Sequence, residues 1–480
     1  MSVYDRYETV IGLEVHVQLG TKSKAFCGDD ASFGAPANTQ ISTISLGHPG
    51  TLPRLNQKQV EYAVKLGLAL DCQINQKNTF DRKNYFYADL PKGYQITQDR
   101  LPICIGGGIN IQTDQGTRHI RMHHIHMEED AGKSIHDIDP NASLIDLNRA
   151  GVPLLEVVTE PDFRSSHEVD LFMNAMRQLV RYLEISDGNM QEGSMRCDCN
   201  VSVRLKGTNQ LNERCEIKNL NSMRFARKAI EYERKRQIDL IESGGKVVQQ
   251  TLNFDPVTGT TSPLRNKEDA HDYRYFPEPD LPPVVISNMH LKQLEESMPP
   301  LPWELEQDFI KSYQLSPYNA RLISEEKDIA LFFIDLTKHT SNYKGAANLL
   351  INKIKPLVSE SKTEVRQLRM EYLAELIHLI DEGKLSNTVA YQQIFPLLIK
   401  PDSQSPREIA QSLNLIQSSD EDFLAQLIDD VIQNNPEKVQ AYKRGKKGLQ
   451  GFFMGQIMRA SKGKADPKAT TILLKKKLEE

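Results

Sequence analysis

Three short stretches of the chain place carboxylate and imidazole side chains where they could bind a metal ion or move a proton. In the first, Glu14 and His16 stand two residues apart in a run of alternating apolar and polar residues. Such alternation predicts a β-strand, on which side chains two apart point the same way and lie roughly 6 to 7 Å apart. Glu14 and His16 could therefore reach one ion, although a solvated polar face gives the same pattern.

The other two stretches could add ligands to the same site. Residues 123–130 hold three imidazoles and three carboxylates, and Glu156 is the single acid in the apolar run 154–158. A lone carboxylate in an apolar strand is costly unless it is paired, protonated or bound to a metal. Carboxylates with one imidazole fit Mg²⁺ or Mn²⁺, and Zn²⁺ stays open. Alternation does not decide between Glu128 and Glu129, and a charged edge strand explains residues 123–130 equally well.

Two further patterns do not indicate sites. The run 131–134, Ala-Gly-Lys-Ser, lacks the glycine that a P-loop needs where Met127 stands, and the acids before it would repel phosphate. Cys197 and Cys199 share one face of a predicted strand, and Cys215 lies on a possible neighbour. Without a Cys-x-x-Cys partner, we expect half-buried thiols rather than a metal site.

Weaker candidates for phosphate or substrate contacts come from residue chemistry alone. Lys83 and Lys92 lie in segments that combine cations with aromatic residues, a composition that suits phosphate or adenosine but also a rigid surface loop. Asn148 and Arg149 are added for the same polar chemistry.

The order of patterns along the 480 residues predicts an α+β protein of several domains. Residues 1–296 mix short strands with two long helices, from Ser165 or Ser166 and from about Ser222 to Ser243, and glycine turns at 106–108 and 257–259 indicate hairpins. Proline-rich segments then suggest an all-helical domain at 297–406 and a helical tail at 407–480. From Lys438 onward, 12 Lys or Arg stand against 3 Asp or Glu, which indicates nucleic-acid binding.

The composition excludes several classes of protein. A net charge of -5 and 39% hydrophobic residues are typical of a globular chain, neither disordered nor strongly basic. No apolar run approaches the roughly 20 residues that span a bilayer. The N-terminal segment carries charges where the apolar region of a secretory signal peptide would lie. Six cysteines in this length favour reduced thiols. We therefore expect a cytoplasmic protein.

Long motifs in one order closely resemble the family of bacterial glutamyl/aspartyl-tRNA amidotransferase B subunits. The resemblance covers essentially the whole chain. Its motifs are Val10-Ile-Gly-Leu-Glu-Val-His16, Asp81-Arg-Lys-Asn-Tyr-Phe-Tyr87, His126-Met-Glu-Glu-Asp-Ala-Gly-Lys-Ser134, Asp146-Leu-Asn-Arg149, Glu192-Gly-Ser-Met-Arg-Cys-Asp198, Lys218-Asn-Leu-Asn-Ser222, Asp272-Tyr-Arg-Tyr-Phe-Pro-Glu-Pro-Asp280 and Gly451-Phe-Phe-Met-Gly-Gln-Ile-Met458.

The resemblance implies a reaction and a site. ATP phosphorylates the side-chain carboxylate of Glu-tRNA(Gln) or Asp-tRNA(Asn), and ammonia then displaces phosphate to leave the amide. The family's metal ligands match His16, Glu129 and Glu156 here, so the resemblance, unlike alternation, selects Glu129 over Glu128. Glu14 and Glu129 are then the expected catalytic carboxylates, with Mg²⁺ and ATP as cofactors.

The resemblance also implies partners. No glutaminase nucleophile is found in this chain, and in the family ammonia comes from an amidase-type glutaminase partner. A small third protein braces the pair, so that a heterotrimer is expected. The helical and tail domains would hold the misacylated tRNA, with backbone charge from the tail, although a solvated basic helix is the alternative. The candidate tRNA contacts are Lys443, Arg444, Lys446, Lys447, Arg459, Lys462 and Lys464.

One departure from the family concerns zinc. Many members hold structural zinc with four cysteines in the region that matches residues 27–45. Here Cys27 remains, with Asp29, Ser42 and Ser45 where the others would lie, which makes zinc doubtful. Two rival functions stay open, a non-catalytic tRNA-binding scaffold and a metal-dependent hydrolase that acts without ATP.

Overall fold

The computed structural model describes residues 2–264, 272–361, 368–400, 402–416, 421–461 and 465–479. The chain forms two compact units, Met1–Leu301 and Pro302–Glu480, and their division lies close to the predicted boundary at 296. Within the described ranges, no helix is both long and apolar enough to cross a membrane.

The first unit is built on a ten-stranded mixed sheet in the order β15-β14-β13-β12-β1-β11-β8-β6-β2, with β7 also paired to β8. Its other strands form three small sheets, β9 with β10, β4 with β5 and β16, and β3 with β17. The strand bounds are β1 Tyr7–Gln18, β2 Gln73–Ile74, β3 Lys77–Asn78, β4 Asp81–Asn84, β5 Tyr94–Thr97, β6 Cys104–Ile105, β7 Gly108–Thr113, β8 Gly116–Glu129, β9 Lys133–Asp139, β10 Ala142–Asp146, β11 Pro153–Thr159, β12 Met195–Leu205, β13 Cys215–Leu220, β14 Gln250–Asp255, β15 Thr260–Pro263, β16 Phe276–Pro277 and β17 Val284–Val285.

β1 lies inside the large sheet and is paired on both sides, antiparallel to β11 and to β12. Leu13, Val15 and Val17 are fully buried on one face, where they join the main hydrophobic core. The alternation of residues in β1 thus gives the sheet an apolar face, which the helices cover, and a polar face, which carries Glu14 and His16.

The described part of this unit contains four α-helices, and three of them supply much of the core. The predicted buried stripe of α2 is confirmed, because Val169, Phe172, Met176, Leu179 and Leu183 are all buried, and the Ser165 hydroxyl accepts from Glu168 N at the helix start. The helix expected from about Ser222 is also confirmed. Helix α1 was missed by the sequence prediction. The bounds are α1 Gln57–Ala69, α2 Ser166–Tyr182, α3 Met223–Glu242 and α4 Asn288–Glu296.

The two glycine turns have different outcomes. Residues 257–259 join β14 to β15 in an antiparallel hairpin, as predicted. The turn at 106–108 does not form a hairpin, since β6 and β7 both pair with the long strand β8 at different positions along it. A glycine turn specifies that the chain bends, whereas the pairing partner depends on a strand further along the chain.

The second unit is built from helices in the residues that the structure describes, which agrees with the predicted α+β class for the chain as a whole. Helix α13 packs against α10, and α14 to α17 enclose a separate core around Leu424, Ile428, Tyr442 and Phe453. The bounds are α5 Pro302–Lys311, α6 Pro317–Ser324, α7 Lys327–Leu336, α8 Tyr343–Leu349, α9 Lys355–Ser361, α10 Met370–Asp381, α11 Asn387–Val389, α12 Phe395–Leu398, α13 Pro406–Ser412, α14 Glu421–Gln433, α15 Pro436–Lys443, α16 Leu449–Ala460 and α17 Pro467–Glu479, with π-helical turns at Leu350–Ile354 and Ala390–Ile394.

Candidate active site

The polar face of the large sheet gathers side chains from three adjacent strands around His16. In the β1–β11 pairing, His16 lies directly opposite Glu156, and in the β11–β8 pairing Glu156 lies opposite His126. Because Glu128 is two residues after His126, it projects from the same face. Nonlocal strand pairing therefore brings together residues that are more than a hundred positions apart in sequence.

His16, Glu128 and Glu156 form a compact group, which we call the His16 cluster. His16 Nε2 lies 3.2 Å from Glu156 Oε2 and 3.9 Å from Glu128 Oε1. One potential ligand atom from each of the three residues falls within 4.8 Å of the others. Two carboxylates and one imidazole at this spacing fit a hard divalent cation such as Mg²⁺ or Mn²⁺.

Glu129, expected as a ligand from the family resemblance, is not part of this cluster. It follows Glu128 on β8 and so points to the opposite face, where Lys92 forms an ion pair with it and Ile96 N donates to its Oε1 at 3.0 Å. Strand alternation is the physical reason, because consecutive residues in the regular part of a strand point to opposite faces. The structure therefore places Glu128 where Glu129 was predicted.

The electrostatics of the cluster favour bound positive charge. Burial alone would raise the pKa of Glu156, but His126, His16 and Lys83 outweigh it and hold that pKa well below its usual range. Burial would likewise lower the pKa of His16, yet the Glu156 carboxylate raises it. Lys83 shows the same balance, since the Glu128 carboxylate overcomes burial and raises its pKa. A site that stabilises protonated imidazoles in this way also attracts a cation.

A second acidic group adjoins the first on the same face. Glu14, Asp198 and Glu216 place potential ligand atoms within 4.8 Å of one another. Lys218 Nζ lies 2.9 Å from Glu216 Oε1 and 3.7 Å from Asp198 Oδ2, and Asn200 donates to Glu14 Oε1 at 2.9 Å. Burial, followed by the charges of Glu156 and Glu216, raises the pKa of Glu14.

Sequence reasoning missed Asp198 and Glu216. Asp198 lies between Cys197 and Cys199 on β12. The sequence prediction considered the two thiols, which lie on the opposite face of the strand from Asp198. Both cysteines are fully buried in the core, as is Cys215, and burial raises the pKa of Cys215 to about 12. In the described part of the chain the three thiols do not form a metal-ligand group. They are fully buried, whereas the sequence predicted half-buried thiols.

A row of imidazoles runs along β8 towards the His16 cluster. His123 Nδ1 lies 2.6 Å from His124 Nδ1, and His124 Nε2 lies 3.1 Å from His126 Nδ1. His126 Nε2 is 3.6 Å from carboxylate oxygens of both Glu128 and Glu156. His126 therefore contacts two cluster carboxylates directly, a contact that the sequence pattern did not assign.

The four candidate phosphate or substrate contacts separate into two groups. Lys83 faces the His16 cluster, and its Nζ lies 4.9 Å from the ring centre of Tyr273 and 5.8 Å from that of Tyr85. Lys92 instead pairs with Glu129. Asn148 accepts from Gln40 N, and Arg149 donates to the carbonyls of Ala131 and Gly132, so both hold loops in place.

The region matched to the family's zinc site is held by hydrogen bonds. The Ser45 hydroxyl donates to Asp29 Oδ2 at 2.6 Å, and Ser42 N donates to the Ser45 oxygen at 2.9 Å. Cys27 is half-buried, and burial raises its pKa to about 11, which disfavours the thiolate that zinc requires. One thiol, one engaged carboxylate and two hydroxyls do not fit a zinc site.

Four of the candidate basic residues of the tail lie at the α15–α16 connection, and Arg459 lies in the last turn of α16. Lys443, Arg444, Lys446, Lys447 and Arg459 are all exposed, and Lys447 Nζ lies 4.3 Å from the Tyr442 ring centre. The other two candidate tRNA contacts, Lys462 and Lys464, lie outside the described residues.

This fold and this site define a class of protein: an α+β catalytic protein with carboxylates and imidazoles on the polar face of a mixed sheet. The family model for the GatB/GatE catalytic domain matches residues 9–292, and that for the GatB domain matches residues 331–478. The chain belongs to this family.

Two relatives extend the match to full length. The B subunit of the aspartyl/glutamyl-tRNA(Asn/Gln) amidotransferase from Thermodesulfovibrio yellowstonii is 46% identical over 477 residues, which cover 99% of this chain and 100% of the relative. The protein of the same name from Myxococcus xanthus is 47% identical over 474 residues, 98% of each chain. The predicted family and the predicted class, an amidotransferase component, are confirmed.

Proposed function

We propose that this chain is the component that activates and amidates the side-chain carboxylate of misacylated Glu-tRNA(Gln), Asp-tRNA(Asn) or both. The products are Gln-tRNA(Gln) and Asn-tRNA(Asn). The observation that carries the proposal is the convergence of His16, Glu128 and Glu156 on the polar face of the sheet. Family membership supports the same reaction.

The reaction needs two group transfers. First, a carboxylate oxygen of the aminoacyl group takes the γ-phosphoryl group of ATP, and ADP leaves. Ammonia then attacks the carbonyl carbon, the C–O bond to phosphate breaks, and phosphate departs with the electron pair. A free carboxylate does not react with ammonia in this way because its oxygen is a poor leaving group until it is phosphorylated.

The residues of the sheet face have separate roles in this proposal. His16, Glu128 and Glu156 would hold Mg²⁺, which supplies neutralisation of the charge on a transferring phosphoryl group. Glu14, with Asp198 and Glu216, offers a second set of oxygen ligands next to the first. Lys83, held between tyrosine rings, places a positive charge towards the same face. Its ammonium group can stabilise phosphate oxygens.

The proposal also requires partners. Ammonia has to come from an amidase-type glutaminase protein, held with a small third protein in a heterotrimer, because the sequence of this chain offers no glutaminase nucleophile arrangement. The helical domain and the basic tail would hold the tRNA, where exposed Lys443, Arg444 and Arg459 provide charge for the phosphate backbone.

A tRNA-binding scaffold without catalysis is the alternative. The basic tail favours it, since that surface serves a scaffold as well as an enzyme. A scaffold has no need for the buried Glu128 and the half-buried His16 and Glu156 at one point, because removing ionisable groups from water costs free energy. The His16 cluster therefore favours catalysis.

The test is phosphate release from ATP by the complex reconstituted with the two partner proteins, with and without Glu-tRNA(Gln). We expect charged tRNA to stimulate phosphate release by the wild type, and Glu128→Gln to abolish the stimulation while tRNA binding persists. If charged tRNA still stimulates ATP hydrolysis in Glu128→Gln, the His16 cluster is structural, and the tRNA-binding scaffold remains as the function of this chain. Attack of water on the substrate without any need for ATP would instead indicate the metal-dependent hydrolase.

A further inference from the structure

A pocket of about 640 Å³ opens on the helical side of the first unit, between α2, α3 and the turn that joins β14 to β15. Its volume falls within the roughly 300–1,000 Å³ that is usual for ligand sites. The residues that line it are Ser166, Asp170, Arg224, Arg227, Lys228, Glu231 and Gly259. None of them belongs to the His16 cluster or to the second acidic group, so the pocket is separate from the candidate active site.

Two helices that run in opposite directions form the walls of the pocket. The Ser166 hydroxyl donates to Glu231 Oε1 at 2.7 Å, and Arg227 Nη1 lies 3.8 Å from Asp170 Oδ2. As α2 advances from Ser166 to Asp170, the residue it meets on α3 moves back from Glu231 to Arg227, so the helices are antiparallel here. These contacts hold the walls together and fix the position of the cationic side chains of α3.

The pocket carries more positive charge than its acids balance. Both acids are already engaged, one by Ser166 and the other by Arg227. Among the residues that the structure describes, no carboxylate pairs with Arg224 or Lys228. These two side chains are exposed and stand four residues apart on α3, so they project from the same side of the helix. In a chain of net charge -5, this local excess of positive charge attracts anions.

The side chains of the pocket fit a phosphate group. Arg224, Arg227 and Lys228 bring three cations to one wall. A phosphate group offers three oxygens and about two negative charges, more than the single charge of a carboxylate. Guanidinium groups bind phosphate oxygens in pairs, and an ammonium group adds a point charge. Among the described residues that line the pocket, none has an apolar side chain, so a purine ring would find no matching surface there.

We infer that this pocket binds a phosphate group outside the candidate active site, with Arg224 and Lys228 as its principal contacts. Two sources supply such a group: a free phosphorylated small molecule and the ribose-phosphate backbone of tRNA. The inference goes beyond the proposed function and does not rest on it, because the pocket can bind phosphate whether or not the His16 cluster activates a carboxylate.

The position of the pocket makes an RNA source physically reasonable. β13 carries Glu216 of the second acidic group, and two residues after its end at Leu220 the chain enters α3. The pocket therefore lies near the end of a strand that carries part of the polar face. A tRNA whose aminoacyl end reaches that face could place a backbone phosphate at this end of the strand.

The first arm of the experiment uses pyrophosphate as the probe. We would titrate it by calorimetry into the complex reconstituted with the two partner proteins, without divalent cations, so that the acidic groups of the polar face carry no metal and repel the anion. The variant is Arg224→Gln with Lys228→Gln. The matched control is Lys206→Gln with Lys246→Gln, two exposed lysines outside the pocket that give the same change in net charge.

We expect the pocket variant to bind pyrophosphate at least about tenfold more weakly than wild type, because hydrogen bonds between charged groups are among the strongest in proteins. The control should stay close to wild type. Both variants should keep the wild-type melting temperature, since the changed side chains are exposed.

The second arm measures tRNA binding by the same variants as a function of salt. If the RNA backbone is the source, the salt dependence of log K should fall by about 1.4 to 1.8 in the pocket variant, for two lost phosphate contacts. That result would assign the pocket to RNA. Weaker pyrophosphate binding with an unchanged salt dependence would assign it to a free phosphorylated molecule.

Two results would overturn the inference. One is wild-type behaviour of the pocket variant in both arms, and the other is an equal loss in the control. If wild-type behaviour in both arms came with failure of the pocket variant to assemble with the partner proteins, an acidic protein segment would replace phosphate as the occupant. The proposed function is tested separately by Glu128→Gln, so its failure and the failure of this inference are distinguishable.

Discussion

His16 and Glu156 face each other across neighbouring antiparallel strands, with His16 Nε2 3.2 Å from Glu156 Oε2. Their contact depends on the register of β1 against β11, and a shift of one residue would turn one of them into the core. The sheet therefore fixes the imidazole and the carboxylate together, and Glu128 completes the set from β8.

The first prediction separates Glu128 from its neighbour. Glu128→Gln should weaken Mn²⁺ binding by about 10- to 100-fold or more. Loss of a residue that only hydrogen-bonds to a metal ligand already costs that much, and Glu128 would be a charged ligand itself. Glu129→Gln should leave that affinity nearly unchanged, because its carboxylate lies on the other face with Lys92. Electron paramagnetic resonance of added Mn²⁺ measures both variants. A loss of affinity in Glu129→Gln alone would restore the assignment taken from the family resemblance.

Lys83 provides a second prediction. Lys83→Met keeps the length of the side chain and its contact with the Tyr273 ring but removes the charge that faces Glu128. We expect amidation to fall about 100-fold or more, because a fixed charge near a transferring group is worth several kcal/mol. The melting temperature should change little. Lys65→Met, on α1, is a control for loss of a lysine, and a similar fall in that variant would contradict a local role for Lys83.

The third prediction concerns zinc. Chelators should not lower the melting temperature, because Asp29, Ser42 and Ser45 hold their loop by hydrogen bonds. Ser45→Ala should destabilise the loop by about 1 kcal/mol, a typical value for one hydrogen bond, visible as faster amide exchange there. Stoichiometric zinc in the purified chain by elemental analysis would refute this account.

A fourth prediction is that the stability of α3 depends on pH through Glu233. Burial would raise the pKa of Glu233, but hydrogen bonds from Arg236 (2.8 Å) and Gln237 (2.9 Å) outweigh it and lower the pKa. A lowered folded-state pKa contributes stability above the unfolded value of about 4.3, and that stability is lost as pH falls through the folded-state pKa. Near neutral pH, Glu233→Gln should cost about 1.5 to 3 kcal/mol.

Amide hydrogen exchange in α3, corrected for intrinsic rates, measures this effect. The difference between wild type and Glu233→Gln should be full at pH 7 and shrink below about pH 4. Glu231→Gln, a more exposed acid on the same helix, serves as the control. A difference that stays constant down to low pH would show that the charge of Glu233 does not account for its effect on stability.

The basic tail gives the fifth prediction. Arg444→Glu with Lys446→Glu should weaken tRNA binding and reduce the salt dependence of log K by about 1.4 to 1.8 for the two lost contacts. The comparison is Lys206→Glu with Lys246→Glu, two exposed lysines of the first unit that give the same change in net charge. An equal loss in that variant would mean that the effect is one of net charge rather than of the tail.

The sequence predicted the polar face of β1, two long helices and the family, because these depend on local periodicity and on long ordered motifs. The sequence did not show which of Glu128 and Glu129 belongs to the site. Alternation places the two carboxylates on opposite faces of β8 but does not say which face also carries His16 of β1. That choice depends on the pairing of β8 with β11, a contact between distant segments. Asp198 was missed for the same reason, because its partner Glu14 is opposite only in the folded sheet.

The long strand β8 also limits how the length of this protein can vary. It runs without interruption from the β7 turn at Gly116 to Glu129, and its irregularity against β11 lies beside His124. Inserting or deleting one residue between Gly116 and His126 would exchange the faces of Glu128 and Glu129 unless a new bulge absorbed it. The exposed turn between β9 and β10 carries no such constraint, so natural variants and engineered loops should differ in length there and not in β8.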